Sequence, residues 1–227
     1  MADDRSTRRE FIYFADPMCS WRYGFGPVMA TLASQFADRL PVRVVMGGLR
    51  AGNTQAMRDK DRAYIRDAWA RVGEASGQPF DLAFFDRETF VYDTEPACRA
   101  VVAARRLAPD SALAFKAAVS SAFYAHNRDV TRDDVLADIA AENGFDREVF
   151  LRELTSPEAR NETFRDFLTA KQAGVEGFPL LAVGSEATGY ALVAHGYRPI
   201  DGLPEAIEQW LAAGAPVTGA APPANDD

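Results

Sequence analysis

The chain has 227 residues, 48% of them hydrophobic and 26% charged, with a net charge of −8. That much apolar material can close a sizeable core without staples, and the acidity gives no electrostatic support to nucleic-acid binding. Two cysteines (Cys19, Cys98) and two histidines (His126, His195) offer no metal-ligand spacing, and no run approaches the length of a membrane-spanning helix.

Residues 1–10 are polar and charged and lack the apolar stretch of a secretory signal, which points to a cytoplasmic protein. In a reducing compartment a structural disulfide between Cys19 and Cys98 is not expected. Residues 11–15 are aromatic and β-branched and predict a short buried strand. Asp16-Pro17-Met18-Cys19-Ser20-Trp21-Arg22-Tyr23-Gly24-Phe25 follows. A helix is expected from Cys19 to about residue 38, with Val28, Met29, Leu32 and Phe36 on one face and a kink where Gly24, Gly26 and Pro27 fall. Cys19 would then lie at a strand-to-helix junction, where the first amides of the helix favour a thiolate.

Residues 40–48 predict a second strand ended by Gly47-Gly48, and strand, helix, strand in that order reads as a parallel βαβ unit. From 49 to 174 the pattern is helical almost throughout. Helices are expected at 54–73, 95–107, 111–126, 146–154 and 157–173, and 79–91 reads as an aromatic loop. Pro96 suits a first helical position. Thr131-Arg132-Asp133-Asp134 fits a capping box for a further helix ended by Asn143-Gly144. Residues 180–183 and 190–194 then predict an antiparallel hairpin, and 203–212 a closing helix with Ile207, Trp210 and Leu211 inward. Residues 214–227 read as disordered.

The order βαβ, helical block, ββα, with Cys19 after the first strand and Pro179 opening the third, resembles the thioredoxin fold of α/β class, and the large helical block resembles its DsbA-like branch. The local motifs Asp16-Pro17-Met18-Cys19-Ser20-Trp21, Tyr23-Gly24-Phe25, Gly47-Gly48-Leu49-Arg50, Pro96-Ala97-Cys98-Arg99-Ala100 and Gly174-Val175-Glu176-Gly177-Phe178-Pro179 are similar to the FrnE-type members, grouped with 2-hydroxychromene-2-carboxylate isomerase-like proteins. The resemblance implies a first thioredoxin half at 10–48, a helical insertion at 49–174, a second half at 175–213 and a tail at 214–227. It implies that Cys19 attacks a disulfide, that the Phe178–Pro179 bond is cis and faces it, and that Trp21, Phe178 and Pro179 meet a bound peptide or glutathione.

Where the family motif has a second cysteine this chain has Arg22, so the usual reversible active-site disulfide cannot form. The expected activity is thiol-disulfide exchange by a monothiol, with Cys19 and Arg22 as catalytic residues. A glutathione-dependent isomerase or transferase, and a redox-inactive peptide-binding module, are the alternatives. No bound cofactor is expected; glutathione is a candidate co-substrate, and protein or peptide disulfides are candidate partners of a monomer or homodimer. Taken singly, each residue has two readings. Cys19 is a reactive thiol or a small packing residue, and Arg22 a thiolate partner or a solvated surface side chain. Trp21 is a site wall or core, Cys98 a buried helical cysteine or a remote resolving thiol, and His126 and His195 read as structural.

Overall fold

In the computed structural model, which describes residues 7–175 and 179–213, the aromatic run after Arg9 forms β1 (Glu10–Ala15). It pairs in parallel with β2 (Val42–Met46) and antiparallel with β3 (Leu180–Ser185). The hairpin partner of β3 is β4 (Gly189–His195), giving one four-stranded sheet in the order β2-β1-β3-β4. β1 is central and buried on both faces from Phe11 to Ala15, which is why its sequence is continuously apolar rather than alternating. The α/β thioredoxin-type expectation holds, as does the antiparallel hairpin, whose strands reach further into the turn than the sequence predicts. Gly184 allows this: a side chain there would run into the backbone of Gly189 and Tyr190.

The helix expected after Cys19 is split into α1 (Ser20–Gly24) and α2 (Gly26–Gln35), at the position where glycine and proline predict a kink. Among the described residues, six α-helices lie between β2 and β3: α3 (Asp59–Ser76), α4 (Glu95–Leu107), α5 (Ala112–Tyr124), α6 (Asp133–Glu142), α7 (Arg147–Leu154) and α8 (Pro157–Gln172). α9 (Leu203–Ala213) follows the hairpin and buries Leu203, Ile207 and Trp210, with Leu211 partly buried beside them.

One apolar core joins Phe11, Tyr13, Ala15, Val44, Met46, Leu181 and Val183 on one sheet face to α2, α4, α5 and α9. A smaller cluster on the other face, with Ile12, Phe14, Val45 and Ala182, is covered by Ala170 of α8. The aromatic stretch at 79–91 is mostly irregular, with a 3-10 turn at Leu82–Asp86, as its sequence suggests. Its rings surround Trp69 of α3: Phe80, Phe84 and Phe85 lie 4.9–5.3 Å from it, and Tyr124 of α5 also lies at 4.9 Å. Tyr23 of α1 stacks on Tyr124 at 4.9 Å, so the helical block and the start of the thioredoxin half share one aromatic core. Such pairs add about 0.5–1.5 kcal/mol each beyond their burial.

β2 is an edge strand, and two of its backbone groups are taken by side chains. Arg105 of α4 donates to the Val44 carbonyl at 2.7 Å, and Asp166 of α8 accepts from the Met46 amide at 2.9 Å. These bonds occupy part of an edge that would otherwise be open to strand addition.

The capping box predicted at Thr131-Arg132-Asp133-Asp134 is not formed. Thr131 bonds Asp129 instead, through both its amide and its hydroxyl, and Arg132 is the residue that precedes α6. A local Asx turn competes successfully for the threonine hydroxyl. The predicted disorder at 214–227 and the cis Phe178–Pro179 bond fall outside the described residues.

Candidate active site

β1 ends at Ala15, and the chain turns through Asp16-Pro17-Met18 before α1 begins. Cys19 is the residue before α1, in extended backbone; its amide bonds the Asp16 carbonyl at 3.2 Å and its carbonyl accepts from Tyr23 at 3.0 Å. The side chain is 6% exposed, whereas Cys98 is fully covered. Both are free thiols. Only Cys19 has any surface through which to meet another molecule.

The turn is held from three sides. Asp16, fully buried, accepts from the Met18 amide at 2.9 Å and from the Leu49 amide at 2.7 Å. It therefore ties the turn after β1 to the Gly47-Gly48 turn after β2. Tyr92 donates to the Met18 carbonyl at 2.7 Å and lies 3.3 Å from the Tyr124 hydroxyl. Ser120 of α5 donates to the Pro17 carbonyl at 2.8 Å. Truncating Asp16 leaves two buried amides without an acceptor and two nearby cations without their carboxylate. Asp16→Ala is expected to lower unfolding free energy by about 3–5 kcal/mol in a urea titration.

Arg22 is fully buried, which removes the reading as a solvated surface side chain. Its Nε donates to the Phe14 carbonyl at 3.1 Å, so the guanidinium lies against the end of β1. Burial pulls it down from its usual value, opposed by Cys19 first and then Asp16. The Arg22 carbonyl accepts from Lys116 Nζ at 3.0 Å and from the Tyr13 hydroxyl at 3.4 Å. α1 is only five residues long, so its macrodipole is small.

Cys98 lies on α4 beneath Asp16 and the backbone of Gly48. Burial, then the Asp16 carboxylate, push its thiol well above the ordinary range. It stays protonated and is a poor nucleophile. Trp21 is half-buried, with its ring 5.8 Å from that of Tyr197. Pro179 is placed by its carbonyl, which accepts from Gly196 at 2.9 Å. Phe178 lies outside the described residues. His126 and His195 are exposed, and among the described residues no three metal-ligating side chains come together. Among the described residues no helix is long and apolar enough to cross a membrane.

Sequence reasoning gave Cys19, Arg22 and Trp21 their places but assigned no role to Asp16, Lys116, Ser120, Tyr92 or Tyr124. Lys116 carried a signal: it is a charged residue four positions after Ala112 and within the apolar stripe of Phe115, Val119 and Phe123.

Residues 11–208 match the model of the DSBA-like thioredoxin domain. A Nitrosomonas europaea structure, provisionally described as a protein disulfide isomerase, is 35% identical, with a TM-score of 0.83 over 91% of this chain and 98% of that one. The cytosolic disulfide reductase DsbM from Pseudomonas aeruginosa is 26% identical, with a TM-score of 0.75 over 90% of this chain and 99% of that one. A second DsbM structure, with GSH, scores 0.72. The ClpXP adapter protein SpxH of Halalkalibacterium halodurans is 25% identical over 78% of this chain, which spans only 60% of that relative's length.

Proposed function

The chain belongs to the DSBA-like thioredoxin domain family and has its thiol-disulfide oxidoreductase fold, and from that premise we propose that it is a monothiol exchange enzyme that reduces glutathione mixed disulfides of proteins or peptides in a reducing compartment. One observation carries the reading: a largely buried thiol with a small exposed surface, Cys19, stands at the start of α1 with a buried cation, not a second thiol, three residues on.

The Cys19 thiolate attacks the glutathionyl sulfur of the mixed disulfide. The Cys19–sulfur bond forms as the substrate S–S bond breaks, and the protein sulfur leaves with the bonding pair and takes a proton from solvent. A second glutathione thiolate then attacks the glutathionyl sulfur held on Cys19. Glutathione disulfide departs and Cys19 is a thiolate again. Nothing in this cycle requires a thiol at position 22. Arg22 anchors α1 to β1 and places its positive charge near the reacting sulfur. Trp21 and Pro179 are proposed to flank the substrate, and the glutathione-bound DsbM relative supports that class of ligand.

A second reading has some support in the SpxH relatives, which are named as adapters rather than enzymes: a peptide-binding module in which Cys19 is dispensable. One assay separates the two. With a glutathionylated peptide, glutathione, glutathione reductase and NADPH, Cys19→Ser is expected to lower turnover at least about a hundredfold, while Cys98→Ala stays near the parent. Turnover that survives in Cys19→Ser would reject the exchange reading.

A further inference from the structure

Lys116 is not explained by the exchange cycle above, nor by packing. It lies in the middle of α5, 2% exposed, among apolar neighbours. Its Nζ reaches the Arg22 carbonyl and lies 6.0 Å from the centroid of the Tyr13 ring. A buried ammonium is expensive to desolvate, and an apolar residue of similar length would fill the same space at no such cost. Burial, followed by the Arg22 guanidinium, brings this amine down to about 8, while Cys19, Asp16 and Cys98 pull it up.

The groups around Lys116 come from four segments: Tyr13 from β1, Asp16 and Cys19 from the turn after it, Arg22 from α1, and Cys98 from α4. Burial raises Tyr13 and Cys98, so both stay neutral through neutral pH. Among the described residues, the buried charged side chains left around Cys19 are then one carboxylate, Asp16, and two cations, Arg22 and Lys116. Asp16 has both oxygens engaged with backbone amides. Both cations lie within electrostatic reach of Cys19.

Resting on Cys19 as the attacking thiol, we propose that Lys116 is a positioning residue for exchange: it fixes the C-terminal end of α1 through the Arg22 carbonyl and, with Arg22, forms a positively charged floor under the reacting sulfurs. Thiol-disulfide exchange carries one negative charge throughout, shared among attacking, central and leaving sulfurs. A fixed cation in a water-poor site stabilises that charge more than it would in water.

The test measures mixed-disulfide formation between Cys19 and the neutral probe bis(2-hydroxyethyl) disulfide, at pH 7 and pH 9.5, in the full chain. Lys116→Met is expected to react about tenfold more slowly than the parent at pH 7. That deficit should close to about twofold or less at pH 9.5, where the parent lysine has lost its own charge. Lys116→Arg should match the parent at pH 7 and exceed it at pH 9.5. A Lys116→Met deficit of the same size at both pH values would mark a merely structural effect and overturn the proposal. A rate within about twofold of the parent at pH 7 would do so too. If Lys116→Met does not fold, Lys116→Arg decides, and no advantage at pH 9.5 overturns the proposal. Cys19→Ser separates the two levels: adduct formation at the parent rate in that variant removes the exchange reading itself, whereas its loss beside an unaffected Lys116→Met removes the role of Lys116 alone.

Discussion

An Arg22→Cys variant is expected to reduce insulin disulfides at least about tenfold faster than the parent, with dithiothreitol as the final reductant. Residues three apart at the start of a helix bring their side chains within about 5–6 Å, a separation that a disulfide tolerates after small adjustment. The new thiol would attack the sulfur of Cys19 in the mixed disulfide, expel the substrate thiolate and leave an intrachain disulfide for the external dithiol to reduce. The parent must wait for a second molecule to perform that step, and a thiol held one helical turn away acts at a far higher effective concentration. The side chain of Arg22 is buried against the Phe14 carbonyl, so the new thiol would lie on the inner side of Cys19. Insulin reduction no faster than the parent's would show that positions 19 and 22 do not have the geometry of a dithiol centre.

Lys116→Met is also expected to stabilise the protein at pH 7. The sign follows from proton binding. The amine titrates at about 8 when folded, against 10.5 for an ordinary lysine, so between those values the unfolded chain binds more protons and stability rises with pH. The penalty is fully present below about pH 8 and gone above about 10.5. A shift of this size amounts to on the order of 3 kcal/mol at neutral pH. Loss of the bond to the Arg22 carbonyl returns about 1 kcal/mol. The net gain is about 2 kcal/mol, or roughly 4–8 °C in Tm for a chain of this size. It should shrink as the melts are repeated toward pH 10. A variant that melts higher while reacting more slowly is the pattern of a residue retained for function at the expense of stability. A lower Tm at pH 7 would mean that Lys116 is a net structural support, and the desolvation argument would fall.

Much of the frame is legible in residue order. The continuous apolar, aromatic run at 11–15 reads as a short buried strand, and it is β1. Gly24, Gly26 and Pro27 together weaken a helix at one place, and α1 and α2 part there. Pro96 sits in the first turn of α4, and the Gly-bounded runs after 179 pair as β3 and β4. The place of Cys19 between strand and helix, and the lack of a thiol three residues later, need no coordinates. These features rest on backbone preference and on the periodicity of a single element, which neighbouring residues set among themselves.

The electrostatics of the site have a different origin. Whether Arg22 points to solvent or to the core depends on what lies over α1, and local sequence is silent on that. The answer comes from β1, whose Phe14 carbonyl takes Nε, and from α5, whose Lys116 arrives from 94 residues away. Asp16 becomes a hinge pin between two turns only because Leu49, 33 residues on, is brought beside it. A side chain's burial and charge are decided by the surfaces packed against it. The sequence by itself therefore determined the strand, the helix and the solitary thiol, and only the tertiary structure decided that two buried cations and one buried, fully engaged carboxylate lie in its neighbourhood.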